Sequence, residues 1–289
     1  MMDSGHYGGG VPRVAEGVSN KTTPVRAWSG IGKRALITGA TSGIGYALAV
    51  CFAREGHDLV LVARHHAALR RVADELVTRS SRSSVDVIAK DLSIPSAAAE
   101  VVAHLRQRGL SIDVLVNNAG FGVHGPFVST DWRLEQGMLS LNMVSLTELT
   151  KLLLPGMLQR HDGKILNVAS TAAFQPGPMM ALYYATKAYV LSLSEALSDE
   201  LRGSGVTVTA LCPGPTRSAF QQRAGIEQTR LMHAGLMDAD TVARAGFRAL
   251  MRGQRLVIPG IANRLVATAV RWLPRGVVLR AVRRVNERA

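Results

Sequence analysis

The sequence predicts a single α/β domain in which helices cover both faces of a parallel sheet of about seven strands, the doubly wound arrangement. Short continuous runs of apolar, β-branched residues alternate along the 289 residues with longer stretches of helical periodicity. Strands that are covered on both faces read as such continuous runs. A glycine-rich turn follows the first run, where folds of this class bind a phosphate. The hydrophobic fraction of 47% is enough for one large core.

Seven apolar runs are the predicted strands, and most of the intervals between them are long enough for crossover helices. The strands are predicted at 35–38, 59–62, 85–88, 114–116, 165–168, 206–211 and 256–258. Helices are predicted over 43–55, 66–79, 96–108, 132–160 and 183–202. This alternation indicates right-handed crossovers between parallel strands. The less regular segment 213–237 is expected beyond the carboxyl end of a strand, where ligands bind in such folds.

The chain is predicted to comprise a leader, one domain and a tail. Residues 1–32 are rich in Gly, Ser and Thr, have no periodic apolar face and read as a flexible leader. Residues 33–260 form the predicted α/β domain. Residues 261–289 form a basic amphipathic C-terminal tail in which apolar residues alternate with arginines. The sequence allows three interpretations of this tail. It is an amphipathic segment on an anionic membrane surface, a helix pair split at Pro274 that contacts a second copy, or the same pair in solvent.

Composition excludes several classes of protein. Two cysteines, Cys51 and Cys212, are too few for a disulfide scaffold or a multi-cysteine zinc site, and they suit the core of a protein in a reducing compartment. The longest uncharged stretch, 165–186, is broken by polar residues and prolines, so a membrane-spanning helix is not expected. No secretory signal is visible either. We therefore expect a cytoplasmic protein, with peripheral membrane contact through the tail as the open alternative.

Neither the distribution of charge nor the single loop histidine predicts a nucleic-acid or metal partner. The net charge is +13, but nine arginines and one acid fall between residues 252 and 289, so the excess is mostly in the tail. Aromatic residues are only 5% of the chain, and no nucleic-acid-binding module is recognisable. His124 is a lone histidine in a predicted loop, and no metal site is predicted.

The turn T-G-A-T-S-G-I-G at 38–45 joins the first predicted strand to the first predicted helix. Gly39 and Gly43 permit tight turns and the close approach of a ligand, and Gly45 lets the helix pack on the strand. The N–H groups at the helix start then face an anion such as a pyrophosphate. The residues predicted to line this site are Gly39, Thr41, Ser42, Gly43, Ile44 and Gly45. The alternative is a glycine-rich turn without a ligand.

The end of the second predicted strand indicates which dinucleotide is preferred. In folds that select NAD, an acid near this position binds the ribose 2′-hydroxyl. Here the strand ends V-A-R-H, without an acid. The guanidinium of Arg64 suits a 2′-phosphate by its charge and by its fork of donors, which predicts NADP(H) in preference to NAD(H). The alternative is that Arg64 is a solvated residue at a helix start.

Tyr183 and Lys187 are four residues apart near the start of a predicted helix, so they share one helical face. Reduction of a ketone by hydride transfer needs a proton donor for the developing alkoxide. A phenol has a pKa of about 10, which a nearby ammonium is expected to lower. Ser170, thirteen residues before Tyr183, offers a hydroxyl that can orient the substrate oxygen. A packing tyrosine and a strand-end serine are the ordinary alternatives.

Together these motifs resemble those of the short-chain dehydrogenase/reductase family. The resemblance covers about residues 33–260 and rests on the glycine turn, Asp91-Leu92, Asn117-Asn118-Ala119-Gly120, Asn142, Ser170, Tyr183 with Lys187, and Pro213-Gly214-Pro215-Thr216. It implies a Rossmann-type fold, a dinucleotide cofactor and a homodimer or homotetramer. Within the family, the chain looks like the branch of 3-ketoacyl and 17β-hydroxysteroid-type reductases.

The resemblance also implies roles for individual residues. Tyr183 would be the general acid/base, and Lys187 would bind the nicotinamide ribose and lower the pKa of the tyrosine. Ser170 would orient the substrate, and Asn142 would hold a water in a proton relay. The residues implied to line the cofactor are Asp91 near the adenine, Asn118, Thr216 near the carboxamide, and the motif residues Leu92, Ala119, Gly120, Pro213 and Gly214. Arg64 resembles the family's NADP(H)-preferring type.

We therefore expect an NADP(H)-dependent oxidoreductase that transfers hydride between nicotinamide and a carbonyl or secondary alcohol. The segments 121–127, 174–180 and 218–237 are rich in Met and Phe, which predicts an apolar ketone or 3-ketoacyl-type substrate and a role in lipid metabolism. These methionines fit core packing equally well. The alternatives in function are a catalytically silent NADP(H)-binding scaffold or redox sensor, and a basic nucleic-acid binder.

Overall fold

The computed structural model describes residues 30–80, 83–230, 232 and 235–287. Seven strands form one sheet in which all six pairings are parallel. The predicted doubly wound α/β domain is therefore confirmed. The predicted leader falls mainly on residues 1–29, outside the described residues.

The strands lie in the order β3-β2-β1-β4-β5-β6-β7 across the sheet. They are β1 (Arg34–Thr38), β2 (Asp58–Ala63), β3 (Val85–Ala89), β4 (Val114–Asn117), β5 (Gly163–Val168), β6 (Val206–Leu211) and β7 (Leu256–Val257). Sequence order runs outward in one direction from β1 and in the other from β4. The carboxyl ends of these two strands therefore flank the crevice in which such sheets bind ligands.

Alternate residues of each central strand face opposite layers of the core. In β1, Ala35 and Ile37 belong to one buried cluster and Leu36 to the other. In β2, Leu59 and Leu61 join the first cluster, while Val60 joins the second. Because helices cover both faces, residues 35–38 of β1 and 59–62 of β2 are all buried. This double burial is the reason that the strands read as continuous apolar runs.

The helices fill the intervals between the strands. They are α1 (Gly43–Arg54), α2 (His66–Arg79), α3 (Ala97–Gln107), α4 (Trp132–Leu139), α5 (Leu146–Gln159), α6 (Ala181–Glu200), α7 (Phe220–Ala224), α8 (Ala239–Met251), α9 (Ile261–Ala269) and α10 (Arg275–Asn286). In α2, the buried residues Leu69, Val72 and Leu76 recur at helical spacing and face the sheet. Helix α8 is additional to the predicted helices and packs against α1.

The single helix predicted over 132–160 is wrong, because a π-helical turn divides it. Helix α4 ends at Leu139, the π-helical turn spans Ser140–Ser145, and α5 begins at Leu146. A π-helical turn accommodates an extra residue and shifts the side chains that follow it, and such turns are frequent at functional sites. Asn142 lies within this turn.

The tail contains two helices, α9 and α10, and Pro274 is the N-cap residue of α10. The tail is thus a helix pair split at Pro274, and whether it contacts a membrane, a second copy or solvent stays a prediction. Val278 and Val282 of α10 are buried in a cluster with Tyr184, Ala224 and Ile226. Helix α10 therefore packs on the segment that follows the Pro-Gly motif.

Candidate active site

The glycine-rich turn lets the start of α1 pack closely on the end of β1. Gly39 and Gly43 have φ angles of 67° and 56°, a left-handed conformation that glycine adopts without steric cost. A Cβ atom at Gly45 would lie 2.4 Å from the carbonyl oxygen of Gly39. Thr41, Ser42 and Ile44 lie between these glycines and are half-buried. Ser42, the N-cap residue of α1, makes no side-chain cap hydrogen bond, so it leaves the first-turn N–H groups free for an anion.

A hydrogen-bonded brace joins this turn to the end of β4. The hydroxyl of Thr38 accepts from the N–H groups of Asn118 and Ala119, each at 3.0 Å, and donates to the carbonyl of Val116 at 3.2 Å. The Asn118 amide donates to the Thr38 carbonyl at 2.8 Å. Asn118 thus fixes the separation of the two strands that flank the crevice.

Three predicted cofactor residues follow β2 and β3 on the same edge of the sheet. Arg64 directly follows β2, and its side chain is exposed. After β3, one carboxylate oxygen of Asp91 accepts from the N–H and the hydroxyl of Ser93, at 3.0 and 2.7 Å. Leu92 is buried. These contacts hold the main chain at Asp91 in a tight turn beside the crevice.

Tyr183 lies in the first turn of α6 and is hydrogen-bonded to Ser170, which follows β5. The Ser170 hydroxyl accepts from the N–H of Ala172 at 3.1 Å and forms a hydrogen bond with the phenol oxygen of Tyr183. Burial raises the pKa of Tyr183, and the Ser170 hydrogen bond opposes this by favouring the phenolate. The net direction is upward, opposite to the lowering expected from Lys187, because loss of solvation is the larger effect.

Lys187 is buried one helical turn after Tyr183. Its ammonium donates to the carbonyl of Val168 at 2.9 Å and lies 5.8 Å from the centroid of the Tyr183 ring. Burial lowers the pKa of Lys187 to about 8. The buried thiol of Cys212 lies close enough to Lys187 for their charges to interact, but burial raises the pKa of that thiol to about 12. The thiol is therefore neutral near pH 7 and gives the ammonium no counter-charge.

Asn142 is held by both the chain after β4 and helix α6. Its side-chain oxygen accepts from the N–H of Phe121 at 3.2 Å, and its amide donates to the Phe121 carbonyl at 3.0 Å. The same amide donates to the Thr186 hydroxyl at 3.1 Å. A Cβ atom at Gly120 would lie 2.9 Å from the Asn142 oxygen and 3.6 Å from the Lys187 ammonium nitrogen. The glycine therefore permits Asn142 and Lys187 to approach one another.

The Pro-Gly motif continues the site beyond β6. The Thr216 hydroxyl donates to the carbonyl of Gly214 at 2.9 Å, and the N–H of Thr171 donates to the carbonyl of Pro213 at 2.9 Å. A Cβ atom at Gly214 would lie 2.4 Å from the side-chain oxygen of Asn263. Helix α9 of the tail therefore packs directly on this motif.

The three segments predicted to face the substrate converge beside Tyr183. A Cβ atom at Gly122 would lie 3.0 Å from Phe220, 3.1 Å from Met180 and 3.2 Å from the Tyr183 ring. The rings of Tyr183 and Phe220 have centroids 5.3 Å apart. Met180 and Phe220, from two of these segments, thus form an apolar wall next to the phenol, and Gly122 of the third segment leaves room for them.

Asn286, at the end of α10, ties the tail to this wall. Its amide donates to the carbonyl of Pro178 at 2.9 Å, and its side-chain oxygen accepts from the Tyr184 hydroxyl at 3.3 Å. Its carbonyl accepts from the ring of His124 at 2.7 Å. A cavity of about 540 Å³ adjoins these contacts and is lined in part by His124, Met179 and Glu287. We name these contacts of Asn286 the tail latch.

Sequence reasoning missed several neighbours of the site. Asn286, Arg223 and Thr186 contact site residues but were not predicted to, and Cys212 was predicted only as a core residue. His124 binds the tail through its ring. Motif spacing carried a signal only for Thr186, one residue before the predicted Lys187; the partners of Asn286 and Arg223 are more than one hundred residues away.

The residues present fit a dinucleotide. Glycines 39, 43, 45 and 120 keep the crevice free of side chains, as the distances to their hypothetical Cβ atoms require. The start of α1 provides N–H donors for phosphates, and Arg64 provides a cation at the same edge. Within residues 30–80, 83–230, 232 and 235–287, no three His, Cys, Asp or Glu side chains converge as metal ligands. In the same ranges no helix is both long and apolar enough to cross a membrane.

Fold and site together define a Rossmann-type protein with a serine, a tyrosine and a lysine at the same edge of the sheet as a glycine-rich turn. The family model for short chain dehydrogenase matches residues 33–229, more than half of the chain. The chain belongs to the short-chain dehydrogenase family. The resemblance inferred from the motifs is thereby confirmed.

Curated relatives support the predicted branch. The chain is 36% identical over 198 residues to 17-beta-hydroxysteroid dehydrogenase type 3 of Mus musculus, covering 67% of this chain and 63% of that protein. It is 31% identical over 206 residues to the very-long-chain 3-oxoacyl-CoA reductase of Homo sapiens, covering 66% of this chain and 64% of that protein. The match thus spans less than two thirds of the length of both relatives.

Solved structures match more of the chain. A short-chain dehydrogenase from Sphingobium yanoikuyae in complex with NADPH is 36% identical, with a TM-score of 0.75 over 85% of this chain and 94% of that one. A family member from Burkholderia phymatum in complex with NAD is 27% identical, with a TM-score of 0.74 over 83% of this chain and 93% of that one. The fold therefore accompanies either dinucleotide.

Proposed function

We propose that this protein is an NADP(H)-dependent oxidoreductase that transfers hydride between nicotinamide and a carbonyl or secondary alcohol. The observation that carries this proposal is the hydrogen bond between Ser170 and Tyr183, with the Lys187 ammonium 5.8 Å from the tyrosine ring. A neutral phenol, a second hydroxyl and a buried cation then adjoin the crevice that the glycine turn keeps open. This is the group of side chains that carbonyl reduction requires.

Tyr183 would act as the general acid. Its raised pKa keeps the phenol protonated at neutral pH, so that it can donate to the oxygen of a carbonyl as negative charge develops there. Ser170 would hydrogen-bond the same oxygen and fix the carbonyl relative to the phenol. Both hydroxyls are already positioned by main-chain geometry, Ser170 after β5 and Tyr183 in the first turn of α6. Little reorganisation is then needed when charge appears.

Lys187 would support the proton transfer electrostatically. Its positive charge favours the phenolate that remains after Tyr183 has donated its proton. Asn142, fixed by Phe121 and Thr186, would position a water through which the proton is replaced. The two hydrogen bonds with the main chain of Phe121 would hold this side chain in place, and it lies in the π-helical turn.

A bound nicotinamide would supply the hydride. The turn at Gly39–Gly45 would hold the pyrophosphate, and Asp91, Leu92, Asn118, Ala119 and Gly120 would line the nucleoside. Pro213, Gly214 and Thr216 would line the nicotinamide side. Arg64 follows the carboxyl end of β2, where the sequence V-A-R-H has no acid, and it supports a preference for the 2′-phosphate of NADP(H) over NAD(H).

The substrate proposed is an apolar ketone or a 3-ketoacyl compound. Gly122, Met180 and Phe220 give the space beside Tyr183 an apolar wall, and Tyr184 with the buried valines of α10 extends it. Apolar walls with few polar groups favour substrates whose reacting carbonyl is their main polar feature. The branch of relatives that act on steroid and acyl ketones by name agrees with this class.

The experiment is turnover of purified protein with NADPH or NADH across a panel of apolar ketones and 3-ketoacyl thioesters. We expect reduction with NADPH, at a kcat/KM well above that with NADH. Tight binding of NADPH without turnover on the whole panel would favour the silent scaffold instead. Turnover by Tyr183→Phe as fast as by the parent would overturn the mechanism.

We also propose that the tail rests on an anionic membrane surface. Ile261, Leu265 and Trp272 are 78%, 65% and 85% exposed, and arginines at 264, 271 and 275 lie among them. Apolar side chains beside cations are typical of helices that lie in a membrane interface. The double variant Arg264→Ser/Arg271→Ser should bind vesicles of anionic lipid about ten-fold more weakly. Exposed Arg133→Ser is the matched control, and equal losses in both variants would contradict the proposal.

A homodimer or homotetramer stays a prediction. Exposed apolar side chains on α4, Trp132 at 59% and Leu134 at 54%, offer a surface that a second copy would cover. Light scattering of the parent and of Trp132→Ser/Leu134→Ser would test it. We expect the parent to be an oligomer. The double variant should dissociate at protein concentrations at which the parent remains assembled.

A further inference from the structure

The short helix α7, in the segment after the Pro-Gly motif, packs directly on the glycine turn. A Cβ atom at Gly43 would lie 2.8 Å from the Cβ of Ser218, two residues before α7 begins. On α7 itself, the guanidinium of Arg223 donates to the Ser42 hydroxyl at 3.1 Å. Ser42 is the N-cap residue of α1. A side chain from the far end of the sequence therefore reaches the place where the turn would receive a phosphate.

Arg64 lies at the same edge of the sheet. It directly follows β2, and the N–H of Gly39 in the turn donates to the carbonyl of Val62 in β2 at 2.8 Å. Burial lowers the pKa of Arg223, and the nearby guanidinium of Arg64 lowers it further. Arg223 thus contacts the N-cap residue of α1, at the positive end of the helix dipole, and a second guanidinium is close to Arg223.

The contacts of Arg223 contain no compensating anion. Its two hydrogen bonds go to neutral acceptors, the Ser42 hydroxyl at 3.1 Å and the Ala219 carbonyl at 3.2 Å. Within the part of the chain that the structure describes, no salt bridge includes Arg64 or Arg223. Like charges repel at this range, and a dianion between them reverses the sign of the interaction. The arrangement therefore suits a phosphate monoester.

We propose that Arg223 and Arg64, with the Ser42 hydroxyl between them, bind the 2′-phosphate of NADP(H). This inference rests on the proposed function and adds to it a specificity residue from the substrate side of the site. A phosphate monoester has several acceptor oxygens, and two guanidinium forks can bind it at the same time. The pyrophosphate, which both dinucleotides share, would sit at the N–H groups of α1 instead.

The same contact links cofactor identity to the substrate wall. Phe220 and Arg223 lie on one turn of α7, and the Phe220 ring is 5.3 Å from the Tyr183 ring, centroid to centroid. A phosphate that holds Arg223 therefore also holds Phe220 beside the phenol. NADPH should order this wall, and NADH, which has no 2′-phosphate, should leave it less ordered.

The binding test uses Arg223→Met in the full chain. Dissociation constants are measured for NADPH, NADH, 2′,5′-ADP and 5′-AMP. We expect Arg223→Met to weaken NADPH and 2′,5′-ADP by about ten-fold, the value of one charge-assisted contact, and NADH and 5′-AMP by less than about two-fold. Exposed Arg230→Met, in the same segment, is the matched control and should leave all four constants unchanged.

The outcomes separate this inference from the proposed function. If the parent binds NADH as tightly as NADPH, the proposed cofactor preference itself fails. If the parent prefers NADPH and Arg64→Met loses that preference while Arg223→Met keeps it, only the inference about Arg223 fails. Equal weakening of NADPH and NADH by Arg223→Met would also overturn it, because the side chain would then act on a shared part of the cofactor.

Amide hydrogen exchange gives a second measurement that does not depend on turnover. In the parent, NADPH should slow exchange over residues 218–226 by several-fold more than NADH does. In Arg223→Met, the two dinucleotides should give the same protection. Equal protection by both dinucleotides in the parent would contradict the link between the phosphate and α7.

Discussion

The proposed cofactor side and the proposed substrate side of this site are built in different ways. On the cofactor side, main-chain atoms and glycines within one strand–turn–helix unit create the space, and the Thr38–Asn118 brace holds it to β4. On the substrate side, the wall beside Tyr183 is assembled from distant segments and tied by the tail latch. We expect the first side to tolerate few substitutions, because its space depends on glycines at fixed positions. The shape of the second side depends on the side chains that line it, so substitutions there should change the shape of the wall.

The largest effect should come from Tyr183, where the two sides meet. Replacing it with Phe keeps the ring against Phe220 but removes the hydroxyl that would donate the proton. We expect kcat for ketone reduction to fall about 1,000-fold, within the range of general acid catalysis. The Kd of NADPH should change less than about two-fold, which fluorescence titration would check. A similar fall in kcat for Tyr184→Phe would contradict the assignment of the proton donor to Tyr183.

A glycine pair sharpens the claim about the cofactor side. Gly39 and Gly203 have similar left-handed φ angles of 67° and 81°, but only a Cβ at Gly39 would meet other atoms, 2.9 Å from the Asn118 amide. Both Ala variants should lose about 1–2 kcal/mol of unfolding free energy from backbone strain. Gly39→Ala should in addition weaken NADPH at least about ten-fold by displacing the brace. Equal Kd values for the two variants would contradict this.

The tail latch tests the substrate side. Asn286→Ala removes two side-chain hydrogen bonds of the tail latch and leaves the Pro178 carbonyl and the Tyr184 hydroxyl without their partner. We expect KM for a bulky apolar ketone to rise about five-fold and the free energy of unfolding to fall by about 1–3 kcal/mol. The Kd of NADPH should stay within about two-fold. Exposed Arg284→Ala on the same helix is the control.

The smallest effect concerns pH. Lys187 has its pKa lowered to about 8 by burial, and Tyr183 has its pKa raised, so the lysine is the first of the two to lose a proton as pH increases. We expect kcat/KM for reduction to fall to half its plateau near pH 8. In Lys187→Arg, whose guanidinium stays protonated, the basic limb should move above pH 10 at a reduced plateau. An unmoved limb would assign the titration to another group.

Lys187 also makes the free energy of unfolding depend on pH. This free energy rises with pH over the range in which the activity falls. Its pKa is lower in the folded protein than the ordinary 10.5, so the unfolded chain binds the proton more tightly between about pH 8 and 10.5. Burial of the charged form therefore costs stability below pH 8, and this cost is relieved as pH rises through that window. Comparison of the parent with Lys187→Met across this window would isolate the contribution.

Much of the fold was predictable because its signals are local. Continuous apolar runs located all seven strands to within two residues, since burial on both faces favours apolar residues. The division of helix 132–160 was not predictable, because the turn sequence S-L-N-M-V-S contains no glycine or proline that would mark an interruption. Its cause lies in the hydrogen bonds of Asn142 with Phe121 and Thr186, which other elements supply.

The sequence alone determined the glycine turn, the shared helical face of Tyr183 and Lys187, and the positions of the strands along the chain, because each of these depends on only a few neighbouring residues. Only the tertiary structure decided that burial sets the direction of the pKa shift of Tyr183, so that the pKa is raised although Lys187 is nearby. It also brought Arg223 to Ser42 across 181 residues and Asn286 to Tyr184 across 102. Solvation and long-range contacts depend on how the whole chain packs, and no short stretch of sequence contains that information.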